Sequence, residues 1–214
     1  EPRGYYYVTP VSSESQQREH NWISIDLACV HVAFPGHHLQ RAIDSSNRSN
    51  TLPRRLNTAA TLYEGWGLYC EDMMQEQGFL DKPAHLLMVL RNRLWCALRV
   101  MLDVELHTRN LSIDAAVQRM RDVLGFDLNQ AHVHSGEFTQ YPGEAMSSAV
   151  GWALIRALKE EVMEAEEASQ PDFNLKRFHD RLLSVGACAL PQVIKHEFGE
   201  QTWKRVHARV FSTE

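Results

Sequence analysis

The stretch "HLLMVLRNRLWCALRVMLDVELH", His85–His107, decides the fold. Its apolar residues return at helical spacing, which gathers them on one face of an α-helix, and no part of it alternates as a half-buried strand does. Asp81 and Pro83 stand just upstream as N-cap and first-turn residues. The segment therefore reads as one long helix at the core. Moving outward, Asn57 to Gln77 reads as a helix terminated by Gly78, and Ser13 to Phe34 as another, with Ser13 and Gln16 spaced as a capping box. Pro35-Gly36 interrupts that helix before "HHLQRAI" resumes it, and the polar loop "DSSNRSNTLPRR" follows. Downstream, Ser112 caps "IDAAVQRMRDVL", Gly125 ends it, and "NQAHVHSGEF" is helical. Pro142-Gly143 breaks the chain ahead of the long "EAMSSAVGWALIRALKEEVMEAEEA", and the last helices cover about 173–183 and 191–210. Only the opening tyrosines suggest period two, so the expected fold is an all-α multi-helix bundle, with no repeat, in a single domain over 1–214.

A chain of 214 residues, 44% hydrophobic and 23% charged, is long enough for one sizeable core. A net charge of −5 with scattered basic residues argues against nucleic acid and against an anionic membrane surface as partners. Cys29, Cys70, Cys96 and Cys188 are widely spaced and form no CxxC pair. Reduced, buried thiols are the expectation, which points to the cytoplasm. No apolar run reaches the ~18 residues a membrane span needs. The chain shows no signal peptide and opens at "EPRGYYYVTP" without an initiator Met, so a fragment of a longer protein is also open.

Chemistry concentrates in "CVHVAFPGHHLQ", Cys29–Gln40. His31 and His37 are six residues apart with the Pro-Gly break between them. In an unbroken helix i and i+4 share a face; a kink that adds two residues lets i+6 play that part. Glu64, in "LYEGWGLYCED", is the best third ligand, because its apolar and aromatic neighbours make an unpaired carboxylate costly to bury. Two imidazoles and a carboxylate suit a divalent zinc or iron ion and leave positions open for water and substrate. The competing reading is a hydrogen-bonded core histidine, loop histidines and an exposed glutamate, and spacing alone does not separate the two. Elsewhere, His132 and His134 are two apart on a helix and do not face one another, which favours an ordinary surface pair. Glu71 reads equally as a surface carboxylate or as an orienter of a ligating histidine.

Four segments in order, "HVAFPGHHLQ", "YEGWGLYCEDMMQEQGF", "LRVMLDVELH" and "YPGEAMSSAVG", resemble the motifs HExxPGHHLQ, EGWALYxE, RLVxDxGxH and PGQALSYKIG of the family called domain of unknown function 885. The resemblance covers nearly the whole chain, which is similar to the C-terminal, site-bearing half of longer members. It implies a helical, gluzincin-like metallopeptidase domain with His31, His37 and Glu64 as metal ligands, zinc first and iron as the alternative. Hydrolysis of a peptide or small amide follows from it as the expected activity. The departures matter as much. Val32 stands where the motif has glutamate and can neither accept a proton nor orient water. Glu144 replaces glutamine, Ser148 and Ala149 replace a Tyr-Lys pair, Glu137-Phe138 stand for Arg-Tyr, and Glu105 stands for glycine, while His107 is kept.

Three hypotheses follow. The first is a zinc hydrolase in which Glu144 takes over proton acceptance, with His107 as the second catalytic candidate. The second is a repurposed metalloenzyme of the non-haem iron type, whose two-His-one-carboxylate set needs no glutamate base. The third is a non-catalytic module that binds a peptide, a partner chain or a second copy of itself.

Overall fold

A computed structural model describes residues 4–8, 10–11, 20–47, 51–52, 59–169 and 173–212, together with positions 14, 17 and 54. Among them every regular element is helical, as the periodicity predicts. The elements are α1 (Trp22–Ala28), which runs into a π-helical turn Cys29–Ala33, then α2 (His37–Ser46), α3 (Ala60–Glu76), α4 (Pro83–Thr108), α5 (Ile113–Leu124) and α6 (Leu128–Gln140). They continue with α7 (Ser147–Ser169), α8 (Leu175–Leu183), the short α9 (Leu190–Val193) with a second π turn Ile194–Phe198, and α10 (Glu200–Phe211).

The ends of these helices follow local chemistry. Ser112 accepts from the Ala115 N–H at 3.2 Å, Asp127 from Gln130 at 2.8 Å, and Asn174 from Arg177 at 2.8 Å, each filling an orphan donor of a first turn. Gly125 closes α5 at φ 70°, a left-handed position where a Cβ is costly. The cap expected at Asp81 is one residue off: Pro83 is the first residue of α4, so Lys82 is the cap, and its N–H bonds to His85 Nδ1 at 3.3 Å. The capping box expected at Ser13 and Gln16 lies outside the described residues. Asn21 and Ser24 make one instead, with Ser24 N–H on Asn21 Oδ1 at 3.0 Å and Asn21 N–H on Ser24 Oγ at 3.1 Å. Near the C-terminus the helical span expected over 191–210 is divided in two, because Gly199 takes φ 94° between the second π turn and α10.

The chain forms two compact units, each assembled from separate stretches of sequence. The first comprises Glu1–Tyr6, Cys29–Cys70 and Val150–Glu214. Its core joins Leu62, Trp66 and Tyr69 of α3 to Leu154, Ile155 and Leu158 of α7 and to Leu182, Leu190 and Ile194. Each such side chain, fully buried, contributes about 1.5–3 kcal/mol. Here α3 and α7 touch backbone to backbone: a Cβ on Gly65 would lie 2.4 Å from the Gly151 carbonyl carbon, and one on Gly151 would lie 1.9 Å from Thr61 O. The second unit comprises Tyr7–Ala28 and Glu71–Ala149. Its core is Leu98 and Leu102 of α4, Ala116, Val117 and Met120 of α5, and Phe126, Ala131, Phe138 and Ala145.

Candidate metal centre

The centre lies in the first unit and begins with the break at Pro35-Gly36. The Phe34 N–H bonds to Cys29 O at 3.0 Å, an i to i+5 bond that widens the turn before the break. Gly36 then crosses so close beneath that turn that a Cβ there would sit 1.8 Å from His31 O. Trp66 Nε1 donates to Pro35 O at 2.9 Å, and the Cys70 thiol to the same oxygen at 3.6 Å, so α3 holds the break in place. The expected kink is thus a π turn followed by a tight turn, and it brings the His31 and His37 rings to 4.7 Å between centroids, edge to face.

Glu64 joins them. One ligand atom from each of His31, His37 and Glu64 lies within 4.8 Å of the others. His37 is 7% exposed and stacks on Tyr63 at 3.7 Å, with the Arg41 guanidinium over the far partner ring at 4.6 Å. Burial, then the neighbouring His31 and Arg41, push the His37 pKa down to about 3, against a smaller upward pull from the Tyr63 backbone. The ring is therefore neutral at ordinary pH, the form in which imidazole ligates a metal. Its Nδ1 is buried without a hydrogen-bond partner, an arrangement that ordinarily costs free energy. Burial likewise raises the Tyr63 pKa. A buried neutral imidazole with an unsatisfied nitrogen, a second imidazole and a carboxylate fit a divalent transition metal.

Gly67 completes the packing. A Cβ there would lie 2.5 Å from His31 Nε2, so the ring occupies the space a side chain would take. The motif that this helix resembles has alanine at that position, a departure that spacing alone did not flag. Val32 is 37% exposed beside this centre, and an alkyl group there offers no proton acceptor.

The sequence matches the family described as "Bacterial protein of unknown function" over residues 1–196. The chain belongs to this family, DUF885. Among solved structures it is similar to "a putative lipoprotein of unknown function" from Shewanella oneidensis, at 28% identity and TM-score 0.81, over 91% of this chain and 36% of that one. It is also similar to a "putative lipoprotein" from Colwellia psychrerythraea, at 25% identity and TM-score 0.74, over 88% of this chain and 30% of that one. This DUF885 chain thus spans about a third of the length of these relatives. No curated protein matches it significantly. The cytoplasmic placement expected from the cysteines is overturned by these relatives, which are described as lipoproteins. Cys70 and Cys96 are indeed buried, but a thiol shielded by a helical core survives in either redox environment and does not report the compartment. Among the described residues no helix is long and apolar enough to cross a membrane.

The other candidates of this DUF885 chain fall in the second unit. His107 Nδ1 lies 2.7 Å from Asp103 O and 3.0 Å from Asp103 Oδ1. Asp103 is 1% exposed, and its Oδ2 accepts from the Gly143 N–H at 2.9 Å, which ties α4 to the Pro142-Gly143 turn. Asp103 and Arg99 stand four and eight residues before His107 on one helical face, a signal present in the sequence but not singled out there. Glu144 is exposed and lines a cavity of about 520 Å³ with Arg99, Glu137, Phe138, Tyr141 and Ala145. Glu71 is 2% exposed and pairs with Arg93 at 3.4 Å, which also holds Asp72 at 2.8 Å, so it is not a surface carboxylate. His134 hydrogen-bonds Glu137 at 3.0 Å and packs on Trp95, while Glu105 pairs with Arg119 at 2.8 Å. His132 is exposed on α6, in line with an ordinary surface pair.

Proposed function

We propose that this chain is a metal-binding domain of gluzincin-like ancestry that holds a divalent ion, zinc before iron, through His31, His37 and Glu64. We further propose that its activity is hydrolysis of a peptide or small amide. The observation that carries the reading is the convergence of the three donor atoms within 4.8 Å around a histidine held neutral. A bound zinc ion would supply Lewis acidity and a water with its pKa lowered to about 7. The protein's own part is positional. Pro35 and Gly36 bring His37 back toward His31, α3 presents Glu64, and Tyr63 fixes the His37 ring by stacking.

Val32 leaves water activation without the usual carboxylate, and loss of such a base slows a reaction by about a hundred- to ten-thousandfold. The acceptor role expected of Glu144 is a separable part of the proposal. If Glu144 takes the proton, Glu144→Gln lowers kcat with KM little changed; an unaltered kcat removes it from the reaction. The non-haem iron reading rests on the same ligands with Val32 in place of a base.

Elemental analysis of protein purified without added metal tests the proposal. One zinc per chain, lost in His31→Ala, is the expected result, together with a fall in Tm on chelation, since a ligand present at about a hundred times its Kd contributes about 2.7 kcal/mol. Iron with oxygen uptake would favour the repurposed enzyme. A protein that carries no metal, and whose Tm a chelator leaves unchanged, would leave a non-catalytic module that binds a peptide, a partner chain or its own copy.

A further inference from the structure

The cavity in the second unit has a chemistry of its own. Arg99 lines it from α4 with its guanidinium 5.7 Å from the Trp95 ring, and no carboxylate pairs with it among the described residues. Its Nε is buried and donates to nothing. A partly desolvated guanidinium with an unused donor is an incomplete anion site, since the planar fork matches a carboxylate. The same cavity carries two carboxylates. Glu137 is engaged by His134 at 3.0 Å, whereas Glu144 is exposed and makes no ion pair among the described residues. Tyr141 adds a phenol, and Phe138 and Ala145 supply an apolar floor.

This balance selects a ligand class. A phosphate or other polyanion would meet Arg99 but be repelled by Glu137 and Glu144. A simple cation would satisfy the glutamates and leave the buried Nε orphaned. A molecule that carries one carboxylate and one ammonium answers both, and a volume of about 520 Å³ lies within the usual range for small-molecule sites.

We infer that the cavity between α4, the end of α6 and the Pro142-Gly143 turn binds a small zwitterion, a free amino acid or dipeptide, with its carboxylate on Arg99 and its ammonium on Glu144. The inference does not depend on the metal reading, because binding is measured on chelator-treated protein without turnover. It also gives Glu144 work that differs from proton acceptance: an anchor changes Kd, an acceptor changes kcat.

The test is titration calorimetry on the chelator-treated protein with alanyl-alanine, its N-acetyl derivative, its C-terminal amide and inorganic phosphate. Alanyl-alanine should bind, and each blocked form should bind roughly ten- to a hundredfold more weakly, as loss of one charge-assisted contact implies. Glu144→Gln, an exposed substitution that leaves folding intact, should abolish the preference for the free amine while keeping that for the free carboxylate. Arg99→Gln, checked for folding by circular dichroism, should do the reverse. The inference is overturned if alanyl-alanine does not bind, if phosphate binds as tightly, or if Glu144→Gln keeps the full preference for the free amine.

Discussion

Gly67 shows how much a single missing methyl group controls. His31 Nε2 rests 2.5 Å from where its Cβ would stand, so Gly67→Ala must push the ring away from α3 and thereby misplace one donor of the triad. Overpacking of this kind costs about 1–3 kcal/mol. If the proposed site holds a metal, misorientation of a ligand weakens its affinity by about ten- to a hundredfold. Both effects are measurable, the first by urea unfolding of the chelated protein and the second by competition with a chromophoric chelator. A wild-type metal affinity in Gly67→Ala would show that the ring has room the packing does not suggest. The three candidate ligands were legible at this scale, because residue types and a Pro-Gly break are written in the chain, but spacing alone did not show that they converge. Gly67 was not, since a glycine in a helix signals close approach without saying to what.

At the scale of elements, two helical glycines behave in opposite ways. Gly151 of α7 faces α3, and its added Cβ would meet Thr61 O at 1.9 Å, a backbone atom that cannot swing aside. Gly136 of α6 has nothing within 4 Å of its Cβ position. Alanine favours a helix over glycine by about 1 kcal/mol. Gly136→Ala should therefore raise the unfolding free energy by up to that amount, and Gly151→Ala should lower it by about 1–3 kcal/mol as α3 and α7 are forced apart. Denaturant midpoints of the two variants check this, and equal shifts of one sign would contradict it. Helix existence was readable from periodicity, as for α4 and α5, and so were most stops, such as Gly78 and Gly125. Exact starts were not, because a cap is decided by which N–H lacks a partner: Lys82 rather than Asp81 holds that place once Pro83 begins the helix.

At the scale of the whole molecule, acid sensitivity follows from histidines that packing shields from water, His37 buried and His179 half-buried. His179 hydrogen-bonds Tyr69 at 2.8 Å and packs on Trp66. Burial, with Lys159 adding to it, holds its pKa down at about 4 from the ordinary 6.5, against a pull from Asp180. Between those two values the unfolded chain binds more protons than the folded one, so stability must fall as pH drops from 6.5 toward 4, with no such penalty above 6.5. In metal-free protein His37 acts in the same direction. Urea midpoints of chelated protein across this range should decline with acidification, and His179→Gln should flatten the slope; an equal slope in the variant would assign the effect elsewhere.

The residues alone determined an all-helical chain and the helix boundaries set by proline and glycine, and they put forward His31, His37 and Glu64 as candidate ligands without deciding that they meet, because propensity, periodicity and donor chemistry are local properties. Only the tertiary structure decided that the chain forms two units from interleaved stretches, that His31 lies in the space left by Gly67, that Glu71 is buried beside Arg93, and that Glu144 shares a cavity with Arg99, which pairs with no carboxylate among the described residues. Those facts depend on which helix faces come together, and that choice is made by packing between residues far apart in sequence, where no local pattern records the partner.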